Sequence, residues 1–93
     1  MKKSKMSFKL KNGFKVHIFL QILEADYLFS STNREDFYRL LNVDELGHLS
    51  EDDVENLIDS GKRVLVINND TLGMTVHNIP EEEVTTALME MGR

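Results

Sequence analysis

The sequence predicts an α+β domain: an antiparallel sheet of about five strands with three helices, in the order βββααββα. Three observations carry this. Residues 6–10 and 14–22 alternate apolar with polar positions, the period of a strand. Residues 64–67, Val-Leu-Val-Ile, are apolar at every position, as in a strand covered on both faces. Three stretches open with helix-start signals, at Thr32, Ser50 and Pro80.

Phe14–Ile22 is the longest strongly apolar run. Phe14, Val16, Ile18, Leu20 and Ile22 fall on one side, with Lys15, His17, Phe19 and Gln21 on the other. It reads as the central strand of a meander. Met6, Phe8 and Leu10 alternate before it, and a three-residue loop Lys11-Asn12-Gly13 matches the apolar faces of the two runs. Gly13 supplies the left-handed residue such a loop needs. The loop sets Lys9 opposite Lys15, which is unfavourable in itself but shields an edge strand from aggregation. After a turn at residues 23–26, Tyr27 and Phe29 continue the apolar face as a third strand. An alternative places residues 19–28 in a helix, because Phe19, Ile22, Leu23 and Tyr27 also fit a helical stripe.

Thr32-Asn33-Arg34-Glu35 has the spacing of a capping box, predicting a helix to about Asn42 with Phe37, Leu40 and Leu41 inward. Residues 43–49, with Gly47-His48, form a loop. Ser50-Glu51-Asp52-Asp53 opens a second helix with Val54, Leu57 and Ile58 as a narrow apolar stripe and Gly61 as its left-handed stop. Residues 64–67 form an interior strand. Met74–Ile79 returns after the polar turn 68–73, and two registers fit this hairpin equally. Pro80 starts a third helix with Glu81, Glu82 and Glu83 in its first turn, where the helix dipole favours acids. Val84, Ala87, Leu88 and Met91 form its packing stripe.

Ninety-three residues suit one domain, expected to span 1–93 with residues 1–5 as a flexible tail. A chain of this size buries roughly 60–65% of its unfolded surface. The sequence has no cysteine, which excludes disulfides and zinc–thiolate sites and is compatible with a reducing cytoplasm. No apolar run approaches a membrane span, so no membrane association is expected. The opening lysines resemble a signal-peptide start, but the apolar stretch after them is interrupted by Lys15, His17 and Gln21, which favours a mature N-terminus.

Charge is distributed unevenly. The net charge is −5, yet residues 1–15 carry six lysines and no acid, while the rest of the chain carries five basic and sixteen acidic residues. Such asymmetry points to interaction surfaces.

Catalytic and metal signatures are absent. His17, His48 and His77 show no metal-ligand spacing, and a composite site from His17 and His77 is disfavoured. Residues 68–79 have glycine at the sixth place of a calcium loop, but Leu72 and Ile79 stand where ligands are required. There is no Gly-x-Ser-x-Gly, no Walker loop and no GxGxxG. No cofactor is expected, and the chain is not expected to be an enzyme.

Two helices joined by a loop invite a helix-turn-helix reading. The second would bring Glu51, Asp52, Asp53, Glu55 and Asp59 towards phosphate, which argues against it. Those five carboxylates are instead the first candidate site, a surface for a basic protein partner. The alternative is the lysine hairpin: Lys9, Lys11 and Lys15 with Phe19 and Leu28, a nucleic-acid or dimer surface. In size and composition the chain resembles many small bacterial or phage accessory proteins, a likeness that carries no residue assignments. The expected function is a small cytoplasmic protein-interaction module that modulates or inhibits a partner. Nucleic acid is the less favoured partner, and a homodimer is compatible with the sequence.

Overall fold

Six strands build one mixed sheet in the computed structural model, which describes residues 5–10, 16–34, 37–41 and 48–91, with side chains at 16–18 left undescribed. In chain order the elements are β1 (Lys5–Lys9), α1 (Val16–Leu23), β2 (Tyr27–Ser31), β3 (Phe37–Leu40) and β4 (His48–Ser50). They continue with α2 (Glu51–Asp59), β5 (Val64–Asn68), β6 (Gly73–His77) and α3 (Glu81–Met91). Across the sheet the strands run β1-β6-β5-β2-β3-β4. The β2–β5 pair is parallel and the other four pairs are antiparallel. The α+β class therefore holds, with a mixed six-stranded sheet in place of an antiparallel five-stranded one.

The largest correction is at residues 14–22, expected as the central strand. Residues 16–23 are helical, so the alternative helix was nearer, though it ends at Leu23 and leaves Tyr27 and Leu28 to β2. The reason is packing. On a helix, Phe19 and Leu23 share a face with Ile22 while Gln21 points to solvent; Phe19 and Leu23 are buried and Gln21 is exposed. That face covers Leu28, Leu65, Ile67, Met74 and Val76, which a sheet alone would leave exposed. The expected partner of β1 changes with it. β1 pairs with β6, setting Met6 against Val76 and Phe8 against Met74. The proposed loop at Lys11, Asn12 and Gly13 lies outside the described residues.

The helix expected from Thr32 is also corrected. Phe37–Leu40 is a strand, with Leu40 opposite Phe29 and Tyr38 opposite Leu49. Tyr38 and Leu40 alternate onto one face, and Asn33 is drawn into a turn. The Asn33 N–H donates to Asp70, and the Asn68 side-chain amide donates to Asn33 Oδ1 at 3.0 Å. His48 and Leu49, expected in a loop, belong to β4. Glu35 and residues 42–47 lie outside the described residues.

The remaining elements follow the local signals. β5 sits between β6 and β2, and its Val64, Leu65 and Ile67 are buried. The hairpin to β6 takes the register Val64↔His77 through Asn68↔Gly73. Asn68 Oδ1 accepts the N–H groups of Asp70 and Thr71, forming the turn. The Pro80 carbonyl accepts the N–H groups of Glu83 and Val84 at the start of α3.

The sheet divides the core in two. On one side α1 and α3 cover a cluster that includes Phe19, Leu28, Leu65, Met74 and Val84, with Met6 and Phe8 packed at its margin. Phe8 meets Phe19 edge-on, with ring centroids 5.8 Å apart. On the other side α2 places Val54 and Ile58 on Phe29 and Val64, flanked by Tyr27, Tyr38 and Leu40. Two side chains tie the layers at their ends. Arg63 donates to the Leu23 carbonyl and pairs with Glu83 at 2.8 Å, joining α1 to α3. Asn78, in a left-handed conformation, donates to the carbonyls of Ile58 and Lys62 and holds the end of α2.

Candidate protein interface

Helix α2 owes its position to its two ends. Ser50 is the N-cap: its hydroxyl oxygen accepts the Asp53 N–H at 3.3 Å, and the Asp53 carboxylate accepts the Ser50 N–H and O–H. At the far end the Gly61 N–H donates to the Ile58 carbonyl and the Lys62 N–H to that of Leu57. This is a Schellman closure, and Gly61 at φ +86° supplies the left-handed residue. With Val54 and Ile58 turned to the sheet, Glu51, Asp52, Asp53, Glu55 and Asp59 are all exposed.

These carboxylates are not equivalent. Asp53 is committed to the cap. Among the described residues, no lysine or arginine forms an ion pair with Glu51, Asp52 or Glu55. Their field reaches inward: the Tyr38 hydroxyl is held above its ordinary pKa by burial first and then by Glu51 and Glu55.

Beside α2, the sheet surface over β1 and β6 carries no helix among the described residues. It forms a shallow groove of about 500 Å³ lined by Ser7, Lys9, Ser31, Tyr38, Val66, Thr71 and Thr75. A smaller recess of about 260 Å³ adjoins it at the start of α2, lined by Thr32, Asn33, Glu51 and Asn68 among others. His77 lies on the same side, half-buried. Burial and then Lys5 push its pKa below the ordinary value, with Glu55 opposing.

The alternative surface does not come together as expected. Phe19 on α1 and Leu28 on β2 are both buried in the core between the sheet and α1 and α3, so neither can stack a base or line a dimer contact. Lys9 is exposed on β1, and Lys11 and Lys15 lie outside the described residues. His77 is on the α2 side of the sheet, whereas α1, which carries His17, is on the other. His48 rests against Phe37 with ring centroids 4.4 Å apart. No metal-binding group of His, Asp and Glu exists among the described residues. Among them, no helix is long and apolar enough to cross a membrane.

Sequence reasoning missed Ser31, Tyr38, Val66 and Thr75. They share a groove only because β2, β5 and β6 are neighbours, and no local pattern reports that. Compared with protein-family models, curated proteins and solved structures, the chain matches none.

Proposed function

We propose that the chain is a non-enzymatic protein-interaction module that engages a basic partner surface through the outer face of α2 and thereby modulates or inhibits that partner. The observation supporting this is the concentration of carboxylates on one helix capped at both ends, with Glu51, Asp52 and Glu55 uncommitted to any described cation. Complementary charge raises association rates and selects partners more than it raises affinity. A helix fixed at both ends presents that charge without further ordering on contact. The cysteine-free composition supports a cytoplasmic setting. The nucleic-acid alternative has lost its stacking residues, since Phe19 and Leu28 are buried.

The test is a charge reversal that spares the cap. D52K/E55K should slow association with a lysine-rich peptide about tenfold at low ionic strength and flatten its salt dependence. The midpoint of thermal unfolding should hardly move, because exposed charges contribute little to folding. Unchanged rate and unchanged salt dependence would reduce α2 to a solvated face. Asp53 is unsuitable for this test because its carboxylate closes the cap.

A further inference from the structure

Strand β1 forms one edge of the sheet, with β6 on one side and no strand on the other among the described residues. Its register settles which backbone groups face outward. The Leu10 N–H donates to the Leu72 carbonyl at 2.6 Å, one step beyond the pair Lys9↔Gly73. Hydrogen-bonded and non-bonded positions alternate along an antiparallel pair. Phe8 and Met6 therefore bond to β6, and the N–H and C=O groups of Lys5, Ser7 and Lys9 point away from the sheet.

The same three residues place their side chains on the α2 side of the sheet, away from α1 and α3. Met6 and Phe8 pack under α1 and α3, and Ser7 Oγ stands 3.3 Å from Thr75 Oγ1 on the opposite face. Lys5 and Lys9 are exposed, and neither forms an ion pair among the described residues. The edge thus combines outward backbone donors and acceptors with two ammonium groups roughly 13 Å apart along the strand.

We propose that β1 receives an extended acidic segment of a partner protein as a seventh, antiparallel strand. Its carboxylates, four residues apart, lie opposite Lys5 and Lys9, and a small or hydroxyl residue lies opposite Ser7. The two intervening side chains fall on the other face, beside Met6 and Phe8, and are apolar. The segment reads acidic–apolar–small–apolar–acidic. A second copy of β1 is excluded by charge: pairing centred on Ser7 sets Lys5 against Lys9 of the other copy, and like charges directly opposite are destabilising. Nucleic acid offers no match to a strand's alternating N–H and C=O groups. Of the α2 acids, Glu55 acts as far as His77 on β6, two strand spacings, about 10 Å, from the segment, whereas Lys5 and Lys9 lie directly opposite it. This surface is separate from the outer face of α2 and selects the opposite charge.

The probe is a fluorescein-labelled peptide with the core Glu-Val-Ser-Val-Glu, titrated by anisotropy against the full chain. A Lys-Val-Ser-Val-Lys control should bind at least tenfold more weakly, and K5E/K9E should invert that preference. N-methylation of the central serine should abolish binding, whereas N-methylation of a valine, whose N–H faces away, should not. On the unaltered chain, the bound peptide should slow amide exchange at Lys5, Ser7 and Lys9. Equal binding of both peptides, equal binding by K5E/K9E, or unchanged exchange at those three amides would overturn the proposal. So would single-stranded DNA displacing the peptide and binding more tightly. Exchange needs no substitution, so it decides even where K5E/K9E fails to fold.

Discussion

Among the described residues, the cluster between the sheet and α1 and α3 holds ten buried side chains, whereas the one between the sheet and α2 holds four. The two sides of one sheet are thus built differently. On the first, two helices clasped by Arg63 close over β2, β5 and β6, and β1 adds Met6 and Phe8 at the margin. On the second, one helix covers β5, β2 and β3, and the β6–β1 part stays polar, with Ser7, Thr75 and His77 facing out. A sheet can draw its stability from one side and leave the other for contact. Charge follows the same division: the uncommitted carboxylates of α2 and the lysines of β1 flank the open groove.

Core truncations on the two sides should expose this asymmetry. Phe19 is fully buried, and Phe19→Ala should cost about 3–5 kcal/mol in urea unfolding. Ile58, at the margin of the smaller cluster and 8% exposed, should cost only about 2 kcal/mol as Ile58→Ala. Equal losses would mean that α2 holds the sheet as firmly as α1 and α3 do.

A smaller effect concerns the attachment of α2. Ser50→Ala removes the acceptor for Asp53 and the donor to its carboxylate, and should lower stability by ~1 kcal/mol. Amide exchange in α2 should rise more than in α3. A uniform rise would show that the two sides open together.

The smallest effect is pH-dependent. His77 has its folded pKa lowered below 6.5 by burial and by Lys5, against the pull of Glu55. The unfolded chain therefore binds the proton more readily. The contribution of His77 is complete above the unfolded value and is lost as pH falls from there through the folded one. His77→Gln should flatten the decline in unfolding midpoint between about pH 7 and about pH 5. Parallel profiles for the two chains would remove His77 from the polar side's balance.

What the sequence disclosed depended on the range of the interaction concerned. Ser50, Asp53, Val54, Ile58 and Gly61 fix α2 within one short segment, and Pro80 with its three glutamates fixes the start of α3. Val64–Ile67 announced an interior strand because both of its faces are apolar. Residues 16–23 were ambiguous, since Val-His-Ile-Phe-Leu-Gln-Ile-Leu satisfies both periods, and the choice was made by a sheet face needing cover. Thr32 to Glu35 matched a capping box by spacing alone, while Asn33 was claimed by Asp70 and Asn68, more than thirty positions away. The acidic face of α2 was legible because it is local. The groove beside it was not, because Ser31, Val66 and Thr75 come from three strands whose adjacency depends on the parallel β2–β5 pair.

The pairing of β1 with β6 has a consequence for the chain during its synthesis. Ser7 and Thr75 are 68 positions apart. At ~5–20 residues per second, a ribosome takes about 3–14 s to make the second after the first. Throughout that interval Met6 and Phe8 have no strand to bond with, and they form an apolar, strand-prone segment. Lys5 and Lys9 bracket it with positive charge, the gatekeeper arrangement that discourages such segments from joining one another. The lysines that border the sheet in the finished fold thus also protect the nascent chain while its partner strand is still unmade.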